Sequence, residues 1–487
     1  MWTIADGEKP TAVVVAVQLP GVDEAELNSS LEELERLATT LGLIPVGRVT
    51  QRRTQLAPGM VLGEGKLKEL AKWTGGTGEV QAYQKPGSRG GDAHDGAGDE
   101  PDDDVDEDGP SVFTNPYDEA APDLEPDDPA IGEKAMVVLV DHELSPTQQR
   151  NLEKATGVDV LDRASVILEI FFRHAKTREA RLQVEIARLR YLSPRLRESA
   201  GGEDRVRGGV GGKGSGESTL ELDRRRIRDR IAELRRELDQ ISTGAATRRQ
   251  RRSNLPTVAL VGYTNAGKSS LMRALTGSEV YVANKLFATL DTTVRMLAPP
   301  TEPQILVSDT VGFIKKLPHD LVASFRSTLD EANEADLLLH VLDAADPAMP
   351  SQLEVTRRVL SELGAGNAES LLILNKCDLV SEEALQELLL RFPDAIAMSA
   401  RRPADVAALR SRLIEQFAGA MEDRDFVVPW AQHKIVHALH ARCEVLSEAH
   451  TDDGTVLSVR APKRIIEDIA QALATGAELL PSDLSQN

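Results

Sequence analysis

Residues Gly262 to Ser269 read GYTNAGKS and satisfy the pattern G-x-x-x-x-G-K-[ST]. In such a loop, here Gly262, Tyr263, Thr264, Asn265, Ala266 and Gly267, backbone N–H groups point inward. Together with the positive end of a helix dipole they form an anion cradle. Lys268 can reach the β- and γ-phosphates of a nucleotide, and the Ser269 hydroxyl can ligate Mg²⁺. Three further motifs follow in order. Asp309-Thr310-Val311-Gly312 offers a carboxylate to hold Mg²⁺ through a water, and the Gly312 N–H can contact the γ-phosphate. Asn375-Lys376-Cys377-Asp378 supplies an Asp that accepts from guanine N1–H and the exocyclic amine, a donor pair that adenine lacks; Asn375 and the Lys376 stem support the base. Ser399-Ala400-Arg401 brings a backbone N–H towards guanine O6. NKxD alone arises often by chance, but the ordered set favours GTP over ATP.

The segment NKLFATLDTTVR, between the loop and Asp309, is the candidate first switch. It offers Thr289, Thr292 and Thr293 as ligands for Mg²⁺ and the γ-phosphate, and spacing does not choose among them. In the second switch Phe313 follows DTVG, where many GTPases place a Gln that orients the attacking water. A phenyl ring neither accepts nor donates that hydrogen bond. The expectation is slow intrinsic hydrolysis that depends on a partner or on backbone groups.

Each motif needs a rigid element behind it. Val258 to Val261 form a buried-type strand before the loop, and Leu271, Ala274 and Leu275 recur at helical spacing after it. TVALV, QILVSD, DLLLHVLD, SLLILN and AIAMSA are strands alternating with helical segments over residues 256–420. The fold class is therefore α/β, a mostly parallel sheet with helices on both faces. Residues 1–176 read as an N-terminal α/β domain. It has a strand at Val13 to Val17, a helix carrying Leu27, Leu31, Leu34 and Leu37, and a strand near Ile44 to Val49. Helix starts are predicted at GEGKLKELAKW and at Ser145-Pro146, the strands KAMVVLV and VDVLD lie nearby, and ASVILEIFFRHA is a buried helix. A Gly-, Pro- and Asp-rich insert, residues 85–130, interrupts this domain and reads as disordered. Residues 177–252 read as an antiparallel helical hairpin. Leu182, Ile186 and Leu189 face Ile227, Ile231, Leu234, Leu238 and Ile241, the second set spaced as an a/d seam. Residues 421–487 form a small α+β appendage with a strand at FVVP, a hairpin around Asp453-Gly454 and a last helix.

The chain has 487 residues and a net charge of −21, which would ordinarily argue against nucleic acid. Its distribution reverses that inference. Asp92 to Asp128 hold 16 acidic and no basic residues, so the remainder carries only −5. Between Arg173 and Arg252, 22 Lys or Arg stand against 12 Asp or Glu, a local net of +10. The loop of the hairpin, RLRESAGGEDRVRGGVGGKGSGES, has eight glycines with Arg195, Arg197, Arg205, Arg207 and Lys213. Its composition suits a flexible linker, and equally insertion into a phosphate-lined cavity. Two cysteines, Cys377 and Cys443, imply no disulfide framework. The start, with Asp6 and Glu8, lacks the pattern of a signal peptide, and no apolar run has transmembrane length. The expectation is a cytoplasmic protein without integral membrane association.

These motifs, with FATLD, DTVGFI, LSPTQQRNLE, DRASVILEIF, LQVEIARLRYLSPRL and GSGESTLELDRRRIRDRI, resemble the HflX family of translational GTPases over nearly the whole chain outside the insert. The motifs preceding the loop are the specific ones, because Era- and Obg-like proteins share the others. The resemblance implies that Phe287, Ala288, Thr289, Leu290 and Asp291 line the nucleotide, with Mg²⁺ held by Ser269 and Thr289. Lys268, Thr289 and Gly312 would be the catalytic set. It further implies a monomer that binds the large ribosomal subunit, with the hairpin loop reaching ribosomal RNA near the peptidyl-transferase region, and that splits or rescues stalled ribosomes under stress. The sequence departs from the family at Thr292, where a proline is common, and in the acidic insert. A reading from another class is a GTP-gated switch whose hairpin and acidic insert recruit proteins away from the ribosome.

Overall fold

Runs of Val, Leu and Ile alternate with amphipathic segments, and in the computed structural model they become three sheets and their covering helices. The structure describes residues 9–80, 134–196, 219–252, 255–277, 286–287, 293–301, 303–316, 331–365, 368–419, 421–452 and 454–475. The acidic insert and most of the hairpin loop lie outside the described residues. The chain divides into two compact units, Met1–Ile170 and Phe171–Asn487. No helix among the described residues is long and apolar enough to cross a membrane.

The first unit holds β1 (Thr11–Gln18), α1 (Glu24–Leu41), β2 (Ile44–Arg52), α2 (Glu64–Thr74), β3 (Val137–Val140), α3 (Pro146–Thr156), β4 (Asp159–Asp162) and most of α4 (Arg163–His174). Its four strands are parallel in the order β2-β1-β3-β4. The middle strands β1 and β3 bury nearly every side chain, as the unbroken Val runs require when both faces are covered. Leu27, Leu31, Leu34 and Leu37 of α1 are all buried. At the start of α3 the Ser145 side chain accepts from the Gln148 amide while the Gln148 side chain accepts from the Ser145 amide, and Pro146 fixes the first turn. Arg163 is almost wholly enclosed in this unit and pairs with Glu33 and with Asp141, the latter at 2.6 Å. Charges taken this far from water persist only when paired and hydrogen-bonded.

The second unit begins with the end of α4, then α5 (Arg178–Leu192) and α6 (Thr219–Arg252). Leu182, Ile186 and Leu234 are buried between the last two, with Leu189, Ile231, Leu238 and Ile241 packed beside them. The ion pairs Arg178–Glu237 and Arg230–Glu185 run in opposite sequence directions, so the helices are antiparallel. Arg224, Arg225, Arg226, Arg228, Arg230, Arg235 and Arg236 are exposed along α6.

The six-stranded sheet that follows has the order β10-β9-β8-β5-β7-β6. Its members are β5 (Thr257–Gly262), β6 (Thr293–Met296), β7 (Leu306–Asp309), β8 (Leu337–Asp343), β9 (Ser370–Asn375) and β10 (Ile396–Ala397). All pairs are parallel except β6 with β7. The edge strand β6 is new relative to the sequence reading, which carried the first switch through to Arg295. Its residues are only half-buried or exposed, so it lacks the apolar run that marked the other strands. Helices α7 (Lys268–Thr276), α8 (Met349–Glu362), α9 (Glu382–Arg391) and α10 (Pro403–Gly419) accompany this sheet. Leu271, Met272, Leu275, Leu409 and Leu413 fill the core beside it. The remaining strands, β11 (Met421–Pro429), β12 (Glu444–Thr451) and β13 (Gly454–Pro462), form an antiparallel sheet in the order β11-β13-β12. Its buried face packs on α11 (His433–Arg442) and α12 (Lys463–Thr475) through Leu439, Ile466 and Ile469.

His340 sits in the middle of β8, paired across the sheet with Val261 of β5, and only 4% of it is exposed. Its Nδ1 has no hydrogen-bond partner among the described residues. Burial, reinforced by the positive charge of Arg357, lowers its pKa to about 4 from the ordinary 6.5. The unfolded chain therefore takes up a proton at His340 between pH 6.5 and 4 while the folded chain does not. The stability held above that window falls as the pH drops through it, by about 2 kcal/mol at pH 5. Chemical unfolding at pH 7 and pH 5 should show this loss, and His340→Leu should remove about that much of the pH dependence; an unchanged acid limb in the variant would refute the assignment.

Candidate nucleotide-binding site

Strand β5 lies between β7 and β8, so the loop after it leaves the carboxyl edge of the sheet near its middle, where neighbouring connections diverge. Backbone sterics decide which residues can form it. Gly262 has φ 146°, and a Cβ there would run into the Val341 carbonyl. Gly267 has φ 98°, and a Cβ there would occupy the place of the Asn375 side-chain amide. Both positions demand glycine. Lys268 opens α7, and its Nζ donates to the carbonyls of Gly262 (3.0 Å) and Tyr263 (2.8 Å), curling back over the loop. Burial lowers its pKa to about 8, a shift that the Asp309 carboxylate partly opposes.

The Ser269 hydroxyl donates to Asp309 Oδ2 at 2.7 Å, and Asp309 is fully buried at the end of β7. A hydroxyl and a carboxylate meeting beside the phosphate cradle form an all-oxygen donor set of the kind Mg²⁺ takes, its other positions being filled by water and phosphate. The described residues contain no cluster of three or more His, Cys, Asp or Glu able to hold a metal. Ala288, Thr289, Leu290 and Asp291 lie outside the described residues. Phe287 has φ 56° and a ring only 2% exposed, set edge-on against Phe171 with centroids 4.5 Å apart. Its side chain is thus committed to packing.

The second switch starts as a seam sewn onto the loop. Thr310 Oγ1 donates to the Leu260 carbonyl (2.7 Å), the Phe313 amide to Gly262 O (3.1 Å) and the Thr264 amide to Phe313 O (2.8 Å). A parallel bridge joins Tyr263 and Phe313, and the Tyr263 hydroxyl accepts from the Lys315 amide at 2.6 Å. The Phe313 ring is 2% exposed. It anchors the switch and faces no water.

The loops after β9 and β10 interlock as well. Asn375 Nδ2 donates to the Ala266 carbonyl (2.8 Å), and Asn375 Oδ1 accepts the Ala400 amide (3.0 Å). One side chain therefore ties the phosphate loop to the loop after β10. The Ser399 hydroxyl holds the Asp378 carboxyl below its ordinary pKa, with smaller help from Arg401 and Arg402, so Asp378 is an ionised acceptor at neutral pH. Ser399 Oγ also accepts the Arg401 amide at 3.2 Å. Cys377 points away, buried with its thiol on the Leu374 carbonyl, and burial raises its pKa. Two residues here escaped the sequence reading. Asp343, at the end of β8, accepts from Lys376 Nζ at 2.6 Å, and Asp405, in the first turn of α10, accepts the Ser399 amide at 2.8 Å. Their one sequence signal was position, an Asp closing the strand DLLLHVLD and an Asp just past Pro403.

Comparison with known proteins agrees with this geometry. Three family models match: a GTP-binding GTPase N-terminal region at residues 28–80 and 128–172, a GTP-binding GTPase middle region at 174–252, and a 50S ribosome-binding GTPase at 257–376. A protein described as GTPase HflX from Gluconacetobacter diazotrophicus is 53% identical over 96% of this chain and 98% of its own length. Proteins of the same description from Caldanaerobacter subterraneus and Escherichia coli are 36% and 40% identical. They cover 93% and 67% of this chain and 91% and 78% of their own lengths.

Phosphates arriving at Lys268 should return its pKa towards that of an ordinary lysine. At pH 8.5 calorimetry of GDP binding in buffers of different ionisation enthalpy should show uptake of about three-quarters of a proton per nucleotide. No uptake would mean that Lys268 is already fully charged in the free protein. Asp343→Asn removes the charged partner of Lys376 Nζ and should weaken GDP and GTP by a common factor of about ten; the nucleotide concentration dependence of fluorescent GDP displacement measures both.

Proposed function

The chain belongs to the HflX family of GTPases, and on that premise we propose that it is a GTP-gated factor of the large ribosomal subunit that splits or rescues stalled ribosomes under stress. The observation that carries this reading is the α5–α6 hairpin. It buries one leucine and isoleucine seam, exposes seven arginines among the described side chains of α6, and leads by both helices into a glycine- and arginine-rich loop. A helix face of this charge suits a phosphate-lined partner, and single charges along it would add to affinity through counterion release. The description of the matching family model, a 50S ribosome-binding GTPase, supports the same partner.

In this proposal the chain has four parts: an N-terminal α/β domain over 1–176, the hairpin over 177–252, the nucleotide domain over 256–420 and a C-terminal domain over 421–487. Residues 262–269 hold the phosphates of GTP, with Lys268 neutralising their charge and the Gly312 amide placed for the γ-phosphate. Asn375, Lys376, Asp378 and the Ser399–Arg401 loop hold guanine. Ser269 and Thr289 are the protein ligands for Mg²⁺, which when bound supplies charge neutralisation to the β- and γ-oxygens. Water adds to the γ-phosphorus, the bond to the β–γ bridging oxygen breaks, and GDP and inorganic phosphate leave. The Phe313 side chain carries no hydrogen-bonding group, so the intrinsic rate is slow and rises on the ribosome.

Sedimentation with 50S subunits tests the partner. Co-migration is expected with a non-hydrolysable GTP analogue, not with GDP, and should weaken as salt rises. Failure to co-migrate even at low salt would favour a protein-binding switch instead. Addition of 50S subunits should raise the hydrolysis rate, and the double variant Arg205→Ala, Arg207→Ala should lose most of that stimulation with GDP affinity intact; equal stimulation would remove the loop from the mechanism.

A further inference from the structure

Among the polar groups of the phosphate loop, one has no evident task. Thr264 is only 7% exposed, and its hydroxyl oxygen is shielded from solvent with no hydrogen-bond partner among the described residues. Buried polar atoms without partners are rare, and a catalytic role is among the few physical reasons for keeping one. Two contacts set Thr264 against the start of the second switch. A Cβ at Gly312 would lie 2.9 Å from Lys268 Nζ, 2.9 Å from Thr264 Cα and 2.9 Å from Thr264 Cγ2, so these groups converge on one point next to the switch glycine. The Thr264 amide donates to the carbonyl of Phe313, the residue standing where a water-orienting Gln is common. The Phe313 ring itself is buried and turned to packing.

We propose that Thr264 is a positioning residue for GTP hydrolysis, its hydroxyl taking the place of the missing Gln side chain. A hydroxyl has one donor and two acceptor sites. It accepts a hydrogen bond from the attacking water and donates one to a γ-phosphate oxygen, which sets the water in line with the phosphorus. The water oxygen bonds to the γ-phosphorus, the bond to the β–γ bridging oxygen breaks with its electron pair on GDP, and the water's proton leaves on inorganic phosphate. Thr264 neither gains nor loses a proton overall. This role rests on the reading of the site as a GTP hydrolase and adds a residue to it.

The test is single-turnover hydrolysis by the full-length protein with Mg²⁺, alongside affinities for GDP and a non-hydrolysable GTP analogue. Thr264→Val keeps the volume and removes the hydroxyl; Thr264→Ser keeps the hydroxyl; Thr264→Ala serves if the valine variant melts early. Val and Ala should lower the rate about tenfold or more, the worth of one well-placed hydrogen bond, while both affinities stay within about twofold. Ser should recover most of the loss. A valine variant as fast as the wild type, a serine variant as slow as valine, or affinities that fall in step with the rate would each overturn the proposal. A wild-type chain that binds GTP and never hydrolyses it would overturn the parent reading as well, which separates the two failures.

Discussion

A hydrogen bond from Asn375 Nδ2 to the Ala266 carbonyl closes the phosphate loop onto the loop after β9, and most of the site geometry follows from it. A loop that turns its amides inward gains nothing from them until an anion arrives, so something else must hold it in shape. Asn375 does so from the end of β9, filling the space that the missing side chain of Gly267 leaves. Its other end receives Ala400, and Ser399 beside it receives support from Asp405. The phosphate loop and the loops after β9 and β10 are thus parts of one hydrogen-bonded frame, and a disturbance at one should be felt at the others.

Charge inside this frame is handled by economy of burial. Lys268 is kept from water and depressed in pKa, yet Asp309 stands near enough to hold much of its charge. The arrangement leaves an ammonium short of full solvation, which favours a nucleotide whose phosphates restore what burial removed. The N-terminal unit solves a related problem differently, by enclosing Arg163 between Glu33 and Asp141. There the charges satisfy one another within the fold.

The second switch shows what a phenyl ring contributes where many GTPases carry a Gln. Phe313 lets the segment after Asp309 pair with the phosphate loop through two backbone hydrogen bonds, because its ring can be buried where an amide side chain would need partners. Rigidity at this junction is gained, and a group able to orient water is lost. That exchange makes the hydroxyl of Thr264 consequential.

Much of the site was legible in the sequence because GYTNAGKS, DTVG, NKCD and SAR each close a strand, and a contiguous motif carries its own local geometry wherever the strand places it. The a/d seam of the hairpin and the Ser145-Pro146 helix start were legible for the same reason, since periodicity and capping act over a few residues. The opposed charges of the insert and the hairpin belong to composition alone. Tertiary structure decided what lies between motifs. Asp343 meets Lys376 across 33 positions, Phe171 meets Phe287 across more than a hundred, and β6 joins the sheet with no apolar run to announce it. Such contacts depend on which strands become neighbours, and that is settled by burying the whole core rather than by any one segment.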